Sequence, residues 1–273
     1  MRTIPLLTRQ YRVYALVRNP VYSERLRALG VTPILGDLDK RRSLVRLAGL
    51  ADLVLHFAPP PNVGISDSRT RNLLSMLSRS ALPKRLIYIS TSGVYGDCAG
   101  ALVSETHALS AKNPRALRRV DAEQQVRDWA GRNRVCASIL RVPGIYAHDR
   151  LPLERLCTGS PAIRSSEDSY SNHIHADDLA RIVLSVLRYG KANRVYHATD
   201  DDEMKMGDYF DAVADANHLP RPPRLPRAEV KRMVSPMMWS FMNESRRLTN
   251  SRMKRELKVR LLYPTVAATL ASI

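Results

Sequence analysis

The amino-acid sequence predicts an α/β fold in which a parallel sheet is covered by helices. Short runs rich in β-branched residues alternate with longer stretches whose apolar residues recur at helical spacing, which is typical of this class. The chain has 273 residues, of which 44% are hydrophobic and 25% charged, an ordinary globular composition. A chain of this length buries a core large enough to be stable without disulfides or metal ions.

In the first half of the chain, strands are predicted where apolar β-branched residues cluster, and helices where apolar residues recur three to four positions apart. A turn signal separates each pair of elements: Gly30, the segment GDLD, or the segment APPP. The predicted order is strand 11–17, helix 22–29, strand 31–35, helix 40–48, strand 53–57, helix 67–80 and strand 85–90.

The last of these strands runs into TSGVYG, a polar loop of the kind that carries function at the carboxyl end of a parallel strand. In the second half, Pro114 opens a helix that reaches about residue 130, since proline is favoured at the first helical position. A strand at 136–141, an extended piece at 173–175, a helix at 176–187 and a strand at 194–198 follow. From about Gly207 the chain is mostly helical and basic, interrupted by the proline-rich loop PRPPRLPR.

Composition narrows the classes of function. Three widely spaced cysteines, Cys98, Cys136 and Cys157, argue against a disulfide framework and a structural zinc site, and favour a reducing, cytoplasmic location. No apolar run approaches the roughly 20 residues of a membrane span. The net charge of +17 makes nucleic acid, an anionic membrane and a phosphorylated ligand candidate partners. The basic stretch 221–260 has only Trp239 and Phe241 as aromatic residues, so nucleic-acid binding ranks low.

Seven segments carry a family resemblance across essentially the whole chain. They are ALVRN, GDL, HFAPP, YISTSGVYG, LRVPGIY, NHIHADDLARIV and SRRLTNSRMKRELKVRLLYPT. Together they resemble the extended and atypical short-chain dehydrogenase/reductases, specifically NAD-dependent epimerase/dehydratase-like proteins. The resemblance implies a Rossmann-like doubly wound parallel sheet with a small C-terminal substrate lobe. Residues 1–205 would form the NAD(P)-binding part, with 151–175 contributing to the substrate side, and 206–273 the lobe.

The resemblance also implies which residues hold the cofactor. Arg18 and Asn19 end the strand YRVYALV, where an acidic residue would select NAD and an arginine accommodates the 2′-phosphate of NADP. The resemblance therefore implies that NADP is preferred over NAD. The alternative is that Arg18 is a solvated residue at a strand end and does not contact the cofactor. The other implied contacts are Asp37 and Leu38 at the adenine, where a simple turn is the alternative, and Ala58 and Pro59 beneath the central ribose and diphosphate.

The catalytic positions depart from the family. Its tyrosine and lysine stand four residues apart on one helix face, so that the two side chains project together. Counting from ISTSGVYG, Glu123 matches the family glutamate, while Arg119 stands at the lysine and Arg115 at the tyrosine. Arginine stays protonated, so Arg115 cannot act as a base, although it can bind an anion or polarise a carbonyl.

Six further residues are assigned from their positions. Thr91 stands at the family Ser/Thr position, where its hydroxyl bonds a substrate oxygen or, alternatively, simply ends a strand. Tyr95 is the nearest remaining phenol and a weak candidate acid. Tyr146 and His175 are placed on the substrate side, and Asp177 and Asp178 are assigned to stabilising the N-terminus of the helix that follows. His173 and His175 lack further ligands at metal spacing, so no metal site is predicted.

The predicted function is NAD(P)-dependent oxidoreductase or epimerase/dehydratase-like chemistry, with hydride transfer at the nicotinamide to an unknown sugar-nucleotide or small hydroxyl/carbonyl substrate. A homo-oligomer is compatible with this prediction. The alternative from another class is a non-catalytic dinucleotide-binding sensor or partner-binding module, because the Tyr/Lys pair is missing. Binding of nucleic acid by the basic C-terminal stretch is the weaker alternative.

The start of the chain lacks the first strand and glycine-rich turn of a Rossmann domain. None of the twelve glycines precedes Gly30, and MRTIPLLTRQ resembles the latter half of the first helix. We expect an open apolar slot beside the predicted strand 11–17, and about 15–25 further residues upstream of Met1 to fill it. Reading the coding frame checks this. An apolar run and a glycine-rich turn would confirm the expectation. An early stop codon, together with a stable 273-residue product that binds NADP, would refute it.

Overall fold

Helices and strands alternate along the chain in the computed structural model, which describes residues 1–271. The helices are α1 (Ile4–Leu7), α2 (Ser23–Ala28), α3 (Ser68–Leu77), α4 (Pro114–Asn133), α5 (Leu153–Cys157), α6 (Ala176–Tyr189), α7 (Met206–Ala216), α8 (Arg227–Met233), α9 (Pro236–Met242), α10 (Ser251–Leu257) and α11 (Val266–Leu270). The strands are β1 (Val13–Val17), β2 (Val31–Leu35), β3 (Leu53–His56), β4 (Arg85–Thr91), β5 (Leu102–Val103), β6 (Cys136–Val142), β7 (Gly144–Tyr146), β8 (Ala162–Ile163), β9 (Tyr170–Ser171), β10 (His173–His175), β11 (Arg194–His197), β12 (Met204–Lys205), β13 (Arg224–Leu225) and β14 (Arg247–Leu248).

The main sheet has four parallel strands in the order β11-β6-β4-β3. Its two central strands, β4 (RLIYIST) and β6 (CASILRV), are mostly buried, as expected for parallel strands covered on both faces. Their register pairs Thr91 with Val142, so the loops that follow β4 and β6 emerge side by side. That edge of a parallel sheet is where ligands bind in open α/β folds.

Helices cover both faces of the main sheet. On one face, side chains of α3 and α4, including Leu74 and Val126, pack in a single cluster with Tyr88 of β4. On the other face, Val186 of α6 and Leu257 of α10 pack with the sheet residues. This arrangement confirms the predicted doubly wound parallel sheet of Rossmann type.

The sheet is split where the first strand of a Rossmann domain would lie. Strands β1 and β2 pair in parallel with each other but with no strand of the main sheet. Between β1 and β3 there is a cavity of about 550 Å³, here called the strand gap, with Val13 and Tyr14 on one side and Leu53 and Leu55 on the other. No strand within residues 1–271 fills it, which confirms the expected open slot.

The C-terminal part of the chain is joined to the rest by short strand pairs. β12 pairs antiparallel with β9, while β13 pairs with β8 and β14 with β5, both in parallel. Helices α5, α7 and α11 share a separate apolar cluster centred on Phe210 and Val213. In contrast, α10 returns to the main sheet and packs against α6.

Several of the predicted elements differ in detail, and the helix predicted at 67–80 ends at Leu77. Residues 40–48 were expected to form a helix, but the segment is a 3₁₀-helix at Arg41–Leu47. Here the hydroxyl of Ser43 accepts a hydrogen bond from the backbone N–H of Asp37 and donates one to the carbonyl of Lys40, which favours a tight turn. The first strand begins at Val13 instead of Tyr11, since Tyr11 and Arg12 are exposed.

None of the helices within residues 1–271 combines the length and apolar character that crossing a membrane requires.

Candidate functional site

A cleft of about 400 Å³ opens at the carboxyl ends of β3, β4 and β6, and it is called the site cleft below. The loops after these strands form one wall, which includes Pro59, Ser92 and Gly144. The opposite wall comes from the C-terminal part of the chain. It consists of residues 170–173 together with Met206, Ser240, Phe241, Glu244 and Arg246. The sheet and the C-terminal segments therefore enclose one cavity.

Thr91 lies in the site cleft, at the last position of β4. Its Oγ1 accepts a hydrogen bond of 3.3 Å from the backbone N–H of Gly93, which orients the side chain at the carboxyl end of the strand. The same hydroxyl can still donate its proton to a ligand oxygen. The structure thus places Thr91 where a substrate oxygen can reach it.

Arg115 and Arg119 both line the site cleft. Helix α4 begins at Pro114, and the side chain of Asn113 caps it by accepting a hydrogen bond from the N–H of Ala116 at 2.8 Å. Positions four residues apart on this helix share a face. The guanidinium of Arg115 lies over the ring of Phe241, 4.1 Å from its centroid.

Arg119 points toward the neighbouring strand. Its Nη1 donates to the phenol oxygen of Tyr88 at 3.0 Å and to the carbonyl of Ile89 at 2.7 Å. Both acceptors are neutral, and the Arg119 guanidinium also lies over the Tyr88 ring, 5.7 Å from its centroid. Arg119 is thus hydrogen-bonded to β4, whereas Arg115 packs against Phe241.

Tyr95 points away from the site cleft into a fully buried network. Its phenol oxygen accepts from Nη1 of Arg141 and lies 2.6 Å from Nε2 of His197, while Nδ1 of His197 faces the carbonyl of Thr249 at 2.9 Å. Burial lowers the pKa of His197 to about 3, so its neutral ring donates from Nδ1 and accepts from Tyr95 at Nε2. Burial also raises the pKa of Tyr95 to about 12. Tyr95, the weak candidate for the catalytic acid, therefore belongs to a buried hydrogen-bond network, and its phenol proton is already hydrogen-bonded.

The residues assigned to the adenine end of the cofactor lie together. The pairing of Val17 with Leu35 brings the ends of β1 and β2 side by side, so Arg18 and Asp37 follow at the same edge. Arg18 is exposed, whereas Asn19 accepts a hydrogen bond from the N–H of Val21 and begins a short turn. The Oδ1 of Asp37 likewise accepts from the N–H two residues on. Leu38 packs against the cluster formed by α3 and α4.

Ala58 and Pro59 follow β3, and Pro59 reaches the site cleft. Arg69 connects this loop to the adenine end, because its guanidinium pairs with Asp39 at 2.7 Å and donates to the carbonyl of Pro59 at 3.1 Å. The chain before β1 contains no glycine that would let backbone approach a diphosphate closely. The residues assigned to the cofactor thus follow the carboxyl ends of β1, β2 and β3, while the segment before β1 supplies no glycine-rich turn.

Tyr146 and His175 lie behind the cleft instead of lining it. Both are almost fully buried, and their rings meet edge to face with centroids 5.4 Å apart. His175 caps the N-terminus of α6, where its Nδ1 accepts a hydrogen bond from the N–H of Asp177. Asp177 and Asp178 occupy the first turn as predicted, but Asp177 pairs with Arg2 and Asp178 accepts from the backbone N–H groups of residues 262 and 263.

Several residues that line the site cleft were not assigned from the sequence: Arg118, His173, Phe241, Glu244 and Arg246. Arg118 stands three residues after Arg115 on α4, so helical spacing alone could have found it. His173 and Arg246 lie within two of the segments that carry the family resemblance, whereas Phe241 and Glu244 come from a distant segment outside all seven. Burial lowers the pKa of His173 to about 4, so its ring is neutral near pH 7. Within residues 1–271, no group of three or more potential ligands is arranged to hold a metal ion.

Comparisons with known proteins agree with this architecture. Over residues 4–198 the chain matches the model of the NAD dependent epimerase/dehydratase family. It is 25% identical over 177 residues to human dTDP-D-glucose 4,6-dehydratase, a match that covers 57% of this chain and 49% of the human protein. The chain thus spans about half the length of the curated relatives it matches.

Two solved structures share the fold across nearly the whole chain. A functionally unknown conserved protein from Silicibacter pomeroyi has a TM-score of 0.78 and 28% identity, covering 99% of this chain and 92% of that one. The dTDP-glucose 4,6-dehydratase from Streptomyces venezuelae, with NAD and TYD bound, has a TM-score of 0.74 and 20% identity, covering 95% and 86%. With most of its length matched by the family model, the chain belongs to the NAD dependent epimerase/dehydratase family.

Proposed function

We propose that the chain binds a nicotinamide dinucleotide along the carboxyl edge of its sheet and acts on a small hydroxyl or carbonyl substrate in the site cleft, as an oxidoreductase or epimerase/dehydratase-like protein. The observation that carries this proposal is the cleft itself, which joins Thr91 with Arg115 and Arg119 beside the predicted cofactor path. When bound, the nicotinamide would supply hydride acceptance and donation.

In this proposal, the protein's own residues bind and orient the substrate. The Thr91 hydroxyl donates to a substrate oxygen, since the bond that it accepts from Gly93 does not use its proton. The guanidinium of Arg115 binds an anionic group or polarises a carbonyl, but it offers no base. Arg119 stabilises negative charge from α4, where its hydrogen bonds to Tyr88 and Ile89 of β4 hold it. The two walls of the cleft support assigning residues 1–205 to the cofactor-binding part, with 151–175 contributing to the substrate side, and 206–273 to the substrate lobe.

We further propose that the cofactor is NADP and that the protein works in the cytoplasm. Arg18 supports the first point, because it is exposed at the end of β1 beside the predicted ribose position, where the 2′-phosphate would lie. The second point is supported by the three cysteines, all of which are free. The alternative of a non-catalytic dinucleotide sensor is favoured by one observation, the arginines at both catalytic positions.

Thermal unfolding of the full chain with NADP, NADPH, NAD and NADH tests the proposal. A specific ligand raises the unfolding temperature as its concentration passes through the dissociation constant. We expect the two phosphorylated cofactors to give the larger shifts. No shift with any of the four would overturn the cofactor assignment. A shift without turnover of any hydroxyl or carbonyl substrate would favour the sensor.

Replacing Arg18 with aspartate is expected to lower the ratio of NADP to NAD affinity by at least about tenfold, because a charge-assisted hydrogen bond to the phosphate is lost and a repulsion is added. Titration calorimetry with both cofactors measures this ratio. The matched control is Arg79→Asp, which makes the same charge change at an exposed site after α3. Equal ratios in the two variants would show that Arg18 does not contact the phosphate.

A further inference from the structure

Three large apolar side chains are exposed on the short helices α8 and α9 of the C-terminal part. Met233 ends α8 and is 59% exposed, while Met237 and Phe241 of α9 are 70% and 41% exposed. Met237 and Phe241 stand four residues apart, so they share one face of α9. Together, Met233, Met237 and Phe241 are called the apolar patch below. Exposed apolar side chains that lie next to one another mark surfaces that contact a partner or a membrane.

The opposite side of the same helices supplies the local core. Val230 and Met242 are fully buried in a cluster with Ile163, and Met238 packs against this cluster. The apolar patch takes no part in it. Within the described chain, neither of the two exposed methionines lines the site cleft. Packing and the site cleft therefore account for the inward residues and for Phe241, but for neither methionine.

The apolar patch lies in a cationic segment. From Lys231 to Phe241 the sequence has two cations, Lys231 and Arg232, and no carboxylate. Both cations are exposed, and the ammonium of Lys231 lies 5.9 Å from the centroid of the Trp239 ring. The acid nearest to the segment along the chain is Glu229, which is half-buried. The segment thus presents exposed positive charge beside exposed apolar side chains.

Charge and apolar character together favour one kind of occupant. A second copy of this chain would bring the same net charge of +17 to the contact, so repulsion opposes self-association. A nucleic acid offers phosphates, but its backbone gives the methionines no apolar region to enter. An anionic bilayer offers both, because apolar side chains enter the boundary between headgroups and acyl chains while cations meet the anionic headgroups.

We propose that the apolar patch, with Lys231 and Arg232, docks the protein onto the surface of an anionic phospholipid bilayer. Contact of this kind requires no membrane-spanning helix. Methionine suits it because its flexible thioether side chain adapts to an irregular surface. Phe241 belongs both to the patch and to the site cleft, so docking would bring the cleft close to the bilayer. The proposal goes beyond the proposed function and depends on neither cofactor binding nor turnover.

Co-sedimentation of the full chain with vesicles tests the proposal at constant ionic strength. One set of vesicles contains phosphatidylcholine and phosphatidylglycerol in equal parts, and the other contains phosphatidylcholine alone. We expect at least about tenfold higher affinity for the anionic vesicles, since each lysine or arginine near the surface adds attraction. Equal affinity for the two sets, or binding to neither, would overturn the proposal.

Met233→Ser/Met237→Ser is expected to weaken binding to the anionic vesicles by at least about tenfold, because two apolar side chains no longer enter the bilayer. The matched control is Val21→Ser/Val45→Ser. These valines are 71% and 58% exposed, as the methionines are, but they follow β1 and β2. A loss confined to the methionine variant supports the proposal. Unchanged binding of that variant would mean that charge alone attracts the chain, as a nucleic acid would, and would overturn it.

Lys231→Gln/Arg232→Gln is expected to lower the affinity for the anionic vesicles by about tenfold and to reduce its dependence on salt, since two charges leave the contact. Arg41→Gln/Arg42→Gln is the control, because it removes the same charge from another exposed pair. Equal losses in the two variants would assign binding to net charge instead of this surface, and would contradict the proposal.

Fluorescence locates the contact. The chain has two tryptophans, and Trp129 is buried, so phospholipids with brominated acyl chains are expected to quench Trp239. Binding without quenching would place the contact on another face and overturn the proposal. Sedimentation velocity without vesicles tests the rival occupant. A dimer that Met233→Ser/Met237→Ser dissociates would assign the apolar patch to a second copy of the chain, and would also overturn the proposal.

Discussion

The double variant Arg115→Tyr/Arg119→Lys is expected to oxidise a suitable hydroxyl substrate faster than the native chain by about 10²–10⁴-fold, the usual contribution of a positioned acid or base. The native chain has two permanent cations at these positions, and neither can accept a proton. A tyrosine at position 115 would share the helix face with a lysine at 119, whose charge would lower the tyrosine's pKa.

The measurement is the rate at which reduced nicotinamide forms with nucleotide sugars and small hydroxyl substrates. Arg115→Phe/Arg119→Met is the matched control, since it also removes both guanidinium groups but adds no proton acceptor. Thr91→Ala in the double-variant background is expected to lower the rate again, because the substrate oxygen loses its hydrogen-bond donor. Brisk native turnover that survives Thr91→Ala would contradict the site assignment.

Replacing Arg141 with leucine is expected to destabilise the fold by about 3–5 kcal/mol, because it leaves Glu123 charged and buried without its partner. Their side chains are 3% and 2% exposed and lie 2.7 Å apart, and Arg141 also donates to Tyr95. After the change, the hydroxyl of Ser90 would still hydrogen-bond to the Glu123 carboxylate.

Urea unfolding monitored by circular dichroism gives the free energy of unfolding for each variant. The double change Arg141→Leu/Glu123→Leu is expected to recover at least about 2 kcal/mol relative to the single change, since no unpaired charge remains. Arg221→Leu, which breaks an exposed ion pair with Asp215, should cost less than about 1 kcal/mol. Additive effects of the two buried substitutions would show that the pair is not coupled.

The strand gap is a feature of the fold that could be predicted from the sequence. The absence of glycine before Gly30 and of an apolar strand before β1 predicted an opening in the sheet. The structure has that opening, because within residues 1–271 neither β1 nor β3 pairs with another strand on the side that faces the gap. This prediction succeeded because strand order in a parallel sheet follows from the pattern of elements and their right-handed connections.

The sequence by itself determined the alternation of strands and helices, the edge of the sheet that carries the site, and the shared face of Arg115 and Arg119, since all three depend on local periodicity. Only the tertiary structure decided that Tyr95 turns inward to Arg141 and His197, and that Phe241 and Glu244 complete the cleft. These contacts join segments about 50 to 150 positions apart. No local pattern fixes them, because a side chain's partner depends on which distant surface packs against its element.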